Sequence, residues 1–391
     1  MGNTKPGNSG PGNTGSNRIA VIHEWLVKHA GSERVVEEIL RVYPDADLFS
    51  LVDFLDDNAR FFIQNKSVTT SFIQHLPFAA KHFRQYLPLM PVAIEQFDLS
   101  PYDIVISSNH AVAKGVLTRA DQLHISYVHT PIRYAWDLHH QYLNGAGLTT
   151  GVKGAIARIM LHYLRLWDVS TANRVDAFVA NSRYVARRIW KTYRRQADVI
   201  YPPVHVDRFR PQRQRDDFYF VLSRFVPYKR VDLIVQAFAH LQRPLIVMGD
   251  GPDAARLQQL ATDNVTLLSP QSDEVVTDYM NRCKAFVYAA EEDFGIAAVE
   301  AQAAGAPVIA FGKGGVTETV IPGKTGLFFN EQTVESVILA IKQFEEASQQ
   351  FSLEHLQRHA DQFSPERFQH QFSRYVDHAW DQFRTENGIQ Y

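Results

Sequence analysis

The chain has 391 residues, 45% of them hydrophobic and 21% charged, with a formal charge of −2. That length favours two domains, each with a sizeable core, and the charge lacks the basic excess expected of a nucleic-acid binder. A single cysteine, Cys283, excludes an internal disulfide and reads as a cytosolic inventory.

No run approaches the ~18–20 uncharged apolar residues of a membrane span. Met1–Asn17, rich in Gly, Asn, Pro, Ser and Thr and without an apolar centre, is expected to be a disordered tail rather than a signal peptide. From Arg18 an α/β rhythm begins. Ile19–Ile22 reads as a buried strand, Gly31-Ser32 as a turn, and Glu33–Leu40 as an amphipathic helix. Further strands are expected at Leu48–Val52, Asp103–Ser108, His124–Val128 and Ala177–Ala180, with a basic helix over Arg183–Arg195; Tyr134–Leu166 is the least regular stretch.

Tyr201-Pro202-Pro203 marks a domain boundary, because neither a helix nor a central strand continues through two prolines. The rhythm restarts with strands at Phe218–Leu222, Leu245–Met248, Val265–Leu268, Ala285–Tyr288 and Pro307–Ala310. The expectation is a doubly wound α/β protein: an N-terminal Rossmann-like domain over 18–203, a second over 204–364, and a terminal helix over 365–391 packing back on the N-terminal domain. Ligands of such sheets bind beyond the carboxyl ends of the strands, so two facing domains make one cleft.

The segment Glu291–Ala301 (EEDFGIAAVEA) joins a strand to a helix, with Glu292 and Glu300 eight residues apart. Free N–H groups at the helix start favour an anion or a sugar oxygen, and the two carboxylates suit sugar hydroxyls. On local physics alone an exposed acidic loop explains the segment equally well. On the residues alone, His129 reads first as a packing histidine at a strand end, and Ser32 as an ordinary helix cap. Asp45-Ala46-Asp47 imitates a metal motif but sits in a helix-to-strand turn, and the histidines show no metal-ligand spacing. A dinucleotide redox fingerprint is absent.

The E-x7-E arrangement resembles that of glycosyltransferase family four, of GT-B fold. So do Ser223–Arg230 (SRFVPYKR), Met248–Pro252 (MGDGP), Gly314–Glu318 (GGVTE) and His129-Thr130-Pro131, in the same order along the chain. The likeness runs from Arg18 to about Phe363 and is strongest to bacterial mannosyltransferases of O-antigen and exopolysaccharide assembly; Ala298 departs from a proline frequent in relatives. It implies a retaining transferase needing neither metal nor cofactor. Arg224 and Lys229 would neutralise the donor diphosphate, and Glu300 would hold the ribose. Glu292 and His129 would face the donor sugar, with Phe294, Gly295 and Ile296 offering contacts to it. Gly31 and Ser32 would lie against diphosphate or acceptor, and Gly249 and Gly251, in the G-x-G-P turn, would bind the substrate. GDP-mannose is the first donor implied, with UDP- or dTDP-sugars as alternatives.

The acceptor is expected in the N-terminal domain. Tyr134–Asp137, Gly154–Trp167 and the Arg187–Arg195 stretch mix apolar bulk with basic charge, which suits an anionic membrane surface carrying a polyprenyl-diphosphate-linked glycan; a buried helix with a basic face fits as well. The rivals are another GT-B chemistry, such as an epimerase or a phosphorylase, and a non-catalytic nucleotide-sugar-binding protein.

Overall fold

A computed structural model describes residues 17–212, 214–347 and 350–388; all but Asn17 of the expected disordered tail lies outside them. The first sheet contains β1 (Ile19–Leu26), β2 (Asp47–Asp53), β3 (Val68–Thr70), β4 (Ile104–Asn109), β5 (Leu123–Val128), β6 (Ala177–Ala180) and β7 (Asp198–Val199). Every pairing is parallel, in the order β3-β2-β1-β4-β5-β6-β7. The second contains β8 (Tyr219–Leu222), β9 (Leu245–Met248), β10 (Val265–Leu268), β11 (Ala285–Tyr288), β12 (Val308–Phe311) and β13 (Gly326–Phe329), also parallel, in the order β10-β9-β8-β11-β12-β13. The winding reverses between β1 and β4 and again between β8 and β11. These are the switch points where a crevice opens beyond the strands.

Each sheet is covered on both faces, as all-parallel sheets require. Val21, Ile39, Ile106 and Tyr127 share one core with Phe368, Phe372, Val376 and Trp380 of the terminal helix Pro365–Asn387. That helix therefore belongs to the first domain's core although it follows the second domain in sequence. Ser364 caps it by accepting from the Arg367 amide at 3.4 Å, and Pro365 occupies its first position, where a missing N–H costs nothing.

Where the sequence is least regular, two helices form, His139–Gly145 and Gly151–Thr171. The longer one buries Gly154, Leu164, Trp167, Asp168 and Thr171 but turns an apolar stripe to solvent: Val152 is 77% exposed, Ile156 53%, Ile159 61% and Leu166 60%. The helix is pinned by a fully buried pair, Lys114 Nζ to Asp168 Oδ1 at 2.7 Å. The second carboxylate oxygen accepts from Trp136 Nε1 at 2.7 Å and Tyr193 OH at 3.0 Å. Every polar atom of the carboxylate is thus occupied, which is what keeps so deep a charge tolerable. No helix among the described residues is long and apolar enough to cross a membrane.

Candidate active site

The carboxyl ends of the two sheets face each other across a cleft of about 320 Å³, lined by Gly31, Ser32, His110, His129, Thr130, Asn181 and Pro202 from one side and Glu292–Ala297 from the other. The domains touch closely here: a Cβ on Gly31 would lie 3.1 Å from Ile296 Cδ1. Seven of the residues singled out in the sequence meet in this space: Gly31, Ser32, His129, Glu292, Phe294, Gly295 and Ile296. Phe294 is itself buried in the second core, so what it can offer the cleft is backbone rather than ring.

Lys229 joins them through an ion pair with Glu292 Oε1. The Ser223–Arg230 stretch is held by backbone: the Ser223 amide donates to the Met248 carbonyl at 3.1 Å and the Phe225 amide to the Asp250 carbonyl at 2.7 Å. Gly249 and Gly251, at φ +155° and +153°, have to be glycine because a Cβ on either would collide with the Ser223 or Phe225 carbonyl. Their part is to let this turn sit down on theirs; neither lines the cleft. Arg224 is exposed and does not line the cleft, but it is near enough to Lys229 to disfavour its charge. Burial, with Arg133 and Arg224, draws the Lys229 ammonium down to about 7. Burial also pushes the Glu292 carboxyl up to about 7, against the pull of Arg133. Each would hold its charge poorly alone, which is why they pair.

Glu300 does not line the cleft. It is 4% exposed, and its Oε1 accepts from Arg34 Nη1 and Arg208 Nη2, both at 2.7 Å. Arg34 comes from the first domain's opening helix Gly31–Val42 and Arg208 from the turn that follows the double proline, so the carboxylate is a junction between the domains. Asp293 is another: its Oδ1 accepts from Arg188 Nη1 at 2.5 Å and its carbonyl from Ser182 Oγ at 2.5 Å. Glu318, in the Gly-Gly turn, accepts from the amides of Arg183 and Tyr184 at 2.8 Å each, capping the helix Arg183–Tyr193 from across the gap.

The floor of the cleft is a set of polar side chains from three strand ends. Glu24, fully buried, accepts from the amides of His110, Ala111 and Ala113 at 2.8, 2.7 and 3.2 Å and touches His110 Nδ1 at 2.9 Å. Burial alone would raise this carboxyl, but His110 and the Ala111 amide lower it. Burial likewise disfavours charge on His110, yet Glu24 raises its pKa. Burial first, then His110 beside it, lowers His129 to about 3, so it is neutral at physiological pH. Arg34, Arg208 and His110 are not singled out in the sequence as site residues, and Asp293 and Glu318 stand inside quoted motifs without a role of their own. For His110 there was a usable signal: like His129 it directly follows a strand of a parallel sheet, where ligands bind.

Facing parallel sheets with a cleft beyond their strand ends define a two-domain protein of GT-B architecture. The family model described as "Glycosyltransferase Family 4" matches residues 30–208, and that described as "Glycosyl transferases group 1" matches residues 206–362. The chain is a GT-B protein of glycosyltransferase family 4-like type. It is 30% identical over 157 residues to an uncharacterized glycosyltransferase of Methanocaldococcus jannaschii, covering 39% of this chain and 44% of that one. To a D-inositol 3-phosphate glycosyltransferase of Mycobacterium leprae it is 30% identical over 185 residues, 41% and 43% of the two chains. A GDP-mannose-dependent phosphatidylinositol monomannoside mannosyltransferase of Mycolicibacterium smegmatis matches at 28% over 201 residues, 43% and 53%. The chain thus spans about half or less of the length of these relatives. Among solved structures, Anabaena HepE with UDP and glucose superposes with a TM-score of 0.70 at 18% identity, covering 93% of this chain and 100% of that one. Sucrose-phosphate synthase of Thermosynechococcus elongatus gives 0.70 at 17%, 94% and 100%. These two share the fold.

Proposed function

We propose that the protein is a retaining glycosyltransferase that moves a hexosyl unit from a nucleotide-sugar to an acceptor held by the first domain. The observation that carries this reading is the Lys229–Glu292 pair facing Gly31, Ser32 and His129 in one cleft. A cation, a carboxylate and the open amides of a helix start are what a sugar diphosphate requires. As the bond from the sugar anomeric carbon to the diphosphate oxygen breaks, negative charge grows on the leaving group. Lys229, Arg224 and backbone amides meet that charge without a metal ion in this mechanism. The acceptor hydroxyl forms the new bond on the same face and gives its proton to the departing phosphate oxygen. Glu292 and His129 orient the sugar, and Glu300, once freed of one arginine, takes the ribose hydroxyls.

GDP-mannose is the first donor to test, supported by the GDP-mannose-dependent relative; UDP-glucose is the second, supported by the UDP complexes of the Anabaena neighbour. The acceptor we infer is a polyprenyl-diphosphate-linked glycan of a cell-surface polysaccharide, met at the inner face of the plasma membrane. Two features support it. All but two of the exposed large hydrophobic side chains among the described residues, Ile321 and Leu339, lie between residues 61 and 190. Exposed Lys153, Arg158, Arg187, Lys191 and Arg194 accompany them on the helices Gly151–Thr171 and Arg183–Tyr193 and just past the latter. Incubation with a panel of nucleotide-sugars and a polyprenyl-diphosphate glycan in anionic vesicles tests the reading. Release of one nucleoside diphosphate per sugar transferred, lost in Lys229→Ala, supports it; tight donor binding without turnover overturns it.

A further inference from the structure

A continuous chain of buried polar side chains runs beneath the cleft, from the opening turn of the first helix to His129. Ser32 Oγ donates to Glu33 Oε2 at 2.9 Å, and Glu33 Oε1 lies 3.4 Å from His23 Nε2. His23 Nδ1 lies 3.1 Å from Ser108 Oγ, which lies 2.9 Å from His129 Nε2. The residues come from three strands and one helix: His23 from β1, Ser108 from β4, His129 from the end of β5, Glu33 from the helix Gly31–Val42. His23 and Ser108 are fully buried and Glu33 is 4% exposed, so water does not compete for these bonds.

In such a chain the position of one proton dictates all the others. Glu33 sits in the first turn of its helix, where the dipole favours negative charge. Burial would raise its carboxyl, but the hydrogen bond from His23 and a backbone amide at the helix start lower it, so it is ionised and accepts only. His23 must then carry its proton on Nε2. Its Nδ1 is left as an acceptor and takes the Ser108 hydroxyl proton. The Ser108 oxygen is then free to accept, and His129 donates to it from Nε2. The alternative is a doubly protonated His23, which would reverse the polarity beyond it. Two observations oppose that. Its contact to Glu33 is long for an ion pair, and the His110 ring, favoured as a cation by Glu24, stands 5.8 Å away. Glu24 Oε2 is 4.0 Å from His23 Nδ1, beyond hydrogen-bond reach, and stands closer to His110 Nδ1, at 2.9 Å.

We propose that Glu33, acting through His23 and Ser108, is a positioning residue that fixes His129 in the tautomer protonated on Nε2, so that Nδ1 presents a lone pair to a hydroxyl of the donor sugar. The last clause rests on the function proposed above; the tautomer itself does not. His129 thereby acts as a hydrogen-bond acceptor rather than an acid, and its neighbours set its polarity before any substrate arrives. The conventional reading of Glu33 as one more acid in a first helical turn gives it no effect on an imidazole three side chains away.

Ring ¹⁵N resonances of the full-length protein, labelled in histidine and recorded without ligand at pH 7.5, test the tautomer; the His129 signals are identified by their absence in His129→Gln. The expected result is a protonated Nε2 and a bare Nδ1. Glu33→Gln can turn either its amide N–H or its carbonyl to His23 Nε2, so the single polarity of the chain is lost and His129 is expected as a mixture of tautomers. A wild-type His129 protonated on Nδ1 overturns the proposal, as does an unchanged His129 in Glu33→Gln. Should that variant not fold, Ser108→Ala cuts the chain and is expected to leave His129 as a mixture of tautomers; a single unaltered tautomer there overturns it equally. In transfer assays Glu33→Gln is expected to lower kcat about tenfold, the effect of one hydrogen bond, while affinity for the free nucleoside diphosphate stays the same. If the spectra behave as expected and no nucleotide-sugar is bound, the functional reading fails and the tautomer assignment stands.

Discussion

The two domains share an architecture but distribute polarity in opposite ways. The second domain is conventional: its exposed large apolar side chains are few, and its buried polar residues are Asn281, Glu300, Gln302, Thr319 and Thr325. The first domain buries charge, in Glu24, Glu33, Lys114, Asp168 and Arg188, and exposes apolar surface along the helix Gly151–Thr171. Stability alone does not account for either departure, since buried charge is a weak stabiliser and exposed apolar area none. Under the function proposed above, the second domain grips one charged group, whereas the first organises protons and meets a second surface.

If that division is right, removing the grip should cost catalysis and nothing else. Lys229→Ala is expected to lower kcat/KM by about 10²–10³, the loss of one group aimed at developing charge. Because Lys229 is paired only with Glu292, its removal leaves a carboxyl that neutralises readily, and the unfolding midpoint should hardly move. A variant as active as wild type, measured by nucleoside diphosphate release, breaks the comparison at its strongest point.

Buried polarity should make the first domain the acid-labile half. His124 is fully buried between Ser107 Oγ at 2.9 Å and the Arg174 carbonyl at 3.2 Å, and burial lowers it to about 4. A histidine lowered in the folded state contributes stability that is complete above its unfolded value near 6.5. That contribution is lost as pH falls from 6.5 towards about 4, and the loss here is about 3 kcal/mol, with His129 adding to it in the same range. Urea unfolding at pH 7 and pH 4.5 should show this decline, and His124→Gln should flatten it. An equal decline in the variant would remove His124 from the account.

The same division explains what the sequence made legible. The second domain's features are contiguous: Ser223–Arg230, Met248–Pro252 and Glu291–Ala301 each bring a strand, a turn and their chemistry in one short run, and β8 to β12 were placed to within a residue or so. The first domain's site is assembled across distance. His23, Ser108 and His129 stand on neighbouring strands but over a hundred positions separate the first and last, so no local pattern joins them. The resemblance gives Glu300 a ribose role, but its two arginine partners, Arg34 and Arg208, are not legible beside it because they lie 266 and 92 residues away. The short strands β3, β7 and β13 escaped for a different reason. Two or three residues, as in β7 and β3, carry too little periodicity, and β13 opens on a glycine.

The exposed stripe sharpens the comparison from the surface side. Ile156→Glu with Leu166→Glu removes two half-exposed apolar groups from the helix Gly151–Thr171 without touching its buried face. Two such side chains account for on the order of a hundredfold in membrane partition. Sedimentation with anionic vesicles should register that loss, while transfer to a water-soluble acceptor stays at the wild-type rate. Equal vesicle binding by both proteins would detach the stripe from the membrane.

The smallest expected effect tests the grip once more, through protons. Free of ligand, Lys229 is drawn down and Glu292 pushed up, each to about 7, so near neutrality the pair is short of a full complement of protons. A sugar diphosphate arriving beside Lys229 stabilises the ammonium and raises its pKa. If Lys229 swings to the phosphate it also leaves Glu292 in a site that disfavours the carboxylate. Both changes have the same sign: the complex takes up protons. Calorimetric titration with a nucleoside diphosphate at pH 8, in buffers of different ionisation enthalpy, should show uptake of up to about one proton, and affinity should fall by at most about tenfold per unit as pH rises above 7. Lys229→Ala should abolish most of that linkage. Proton release, or none at all, would mean that the diphosphate does not meet this lysine, and the contrast between a gripping domain and a proton-organising one would lose its first half.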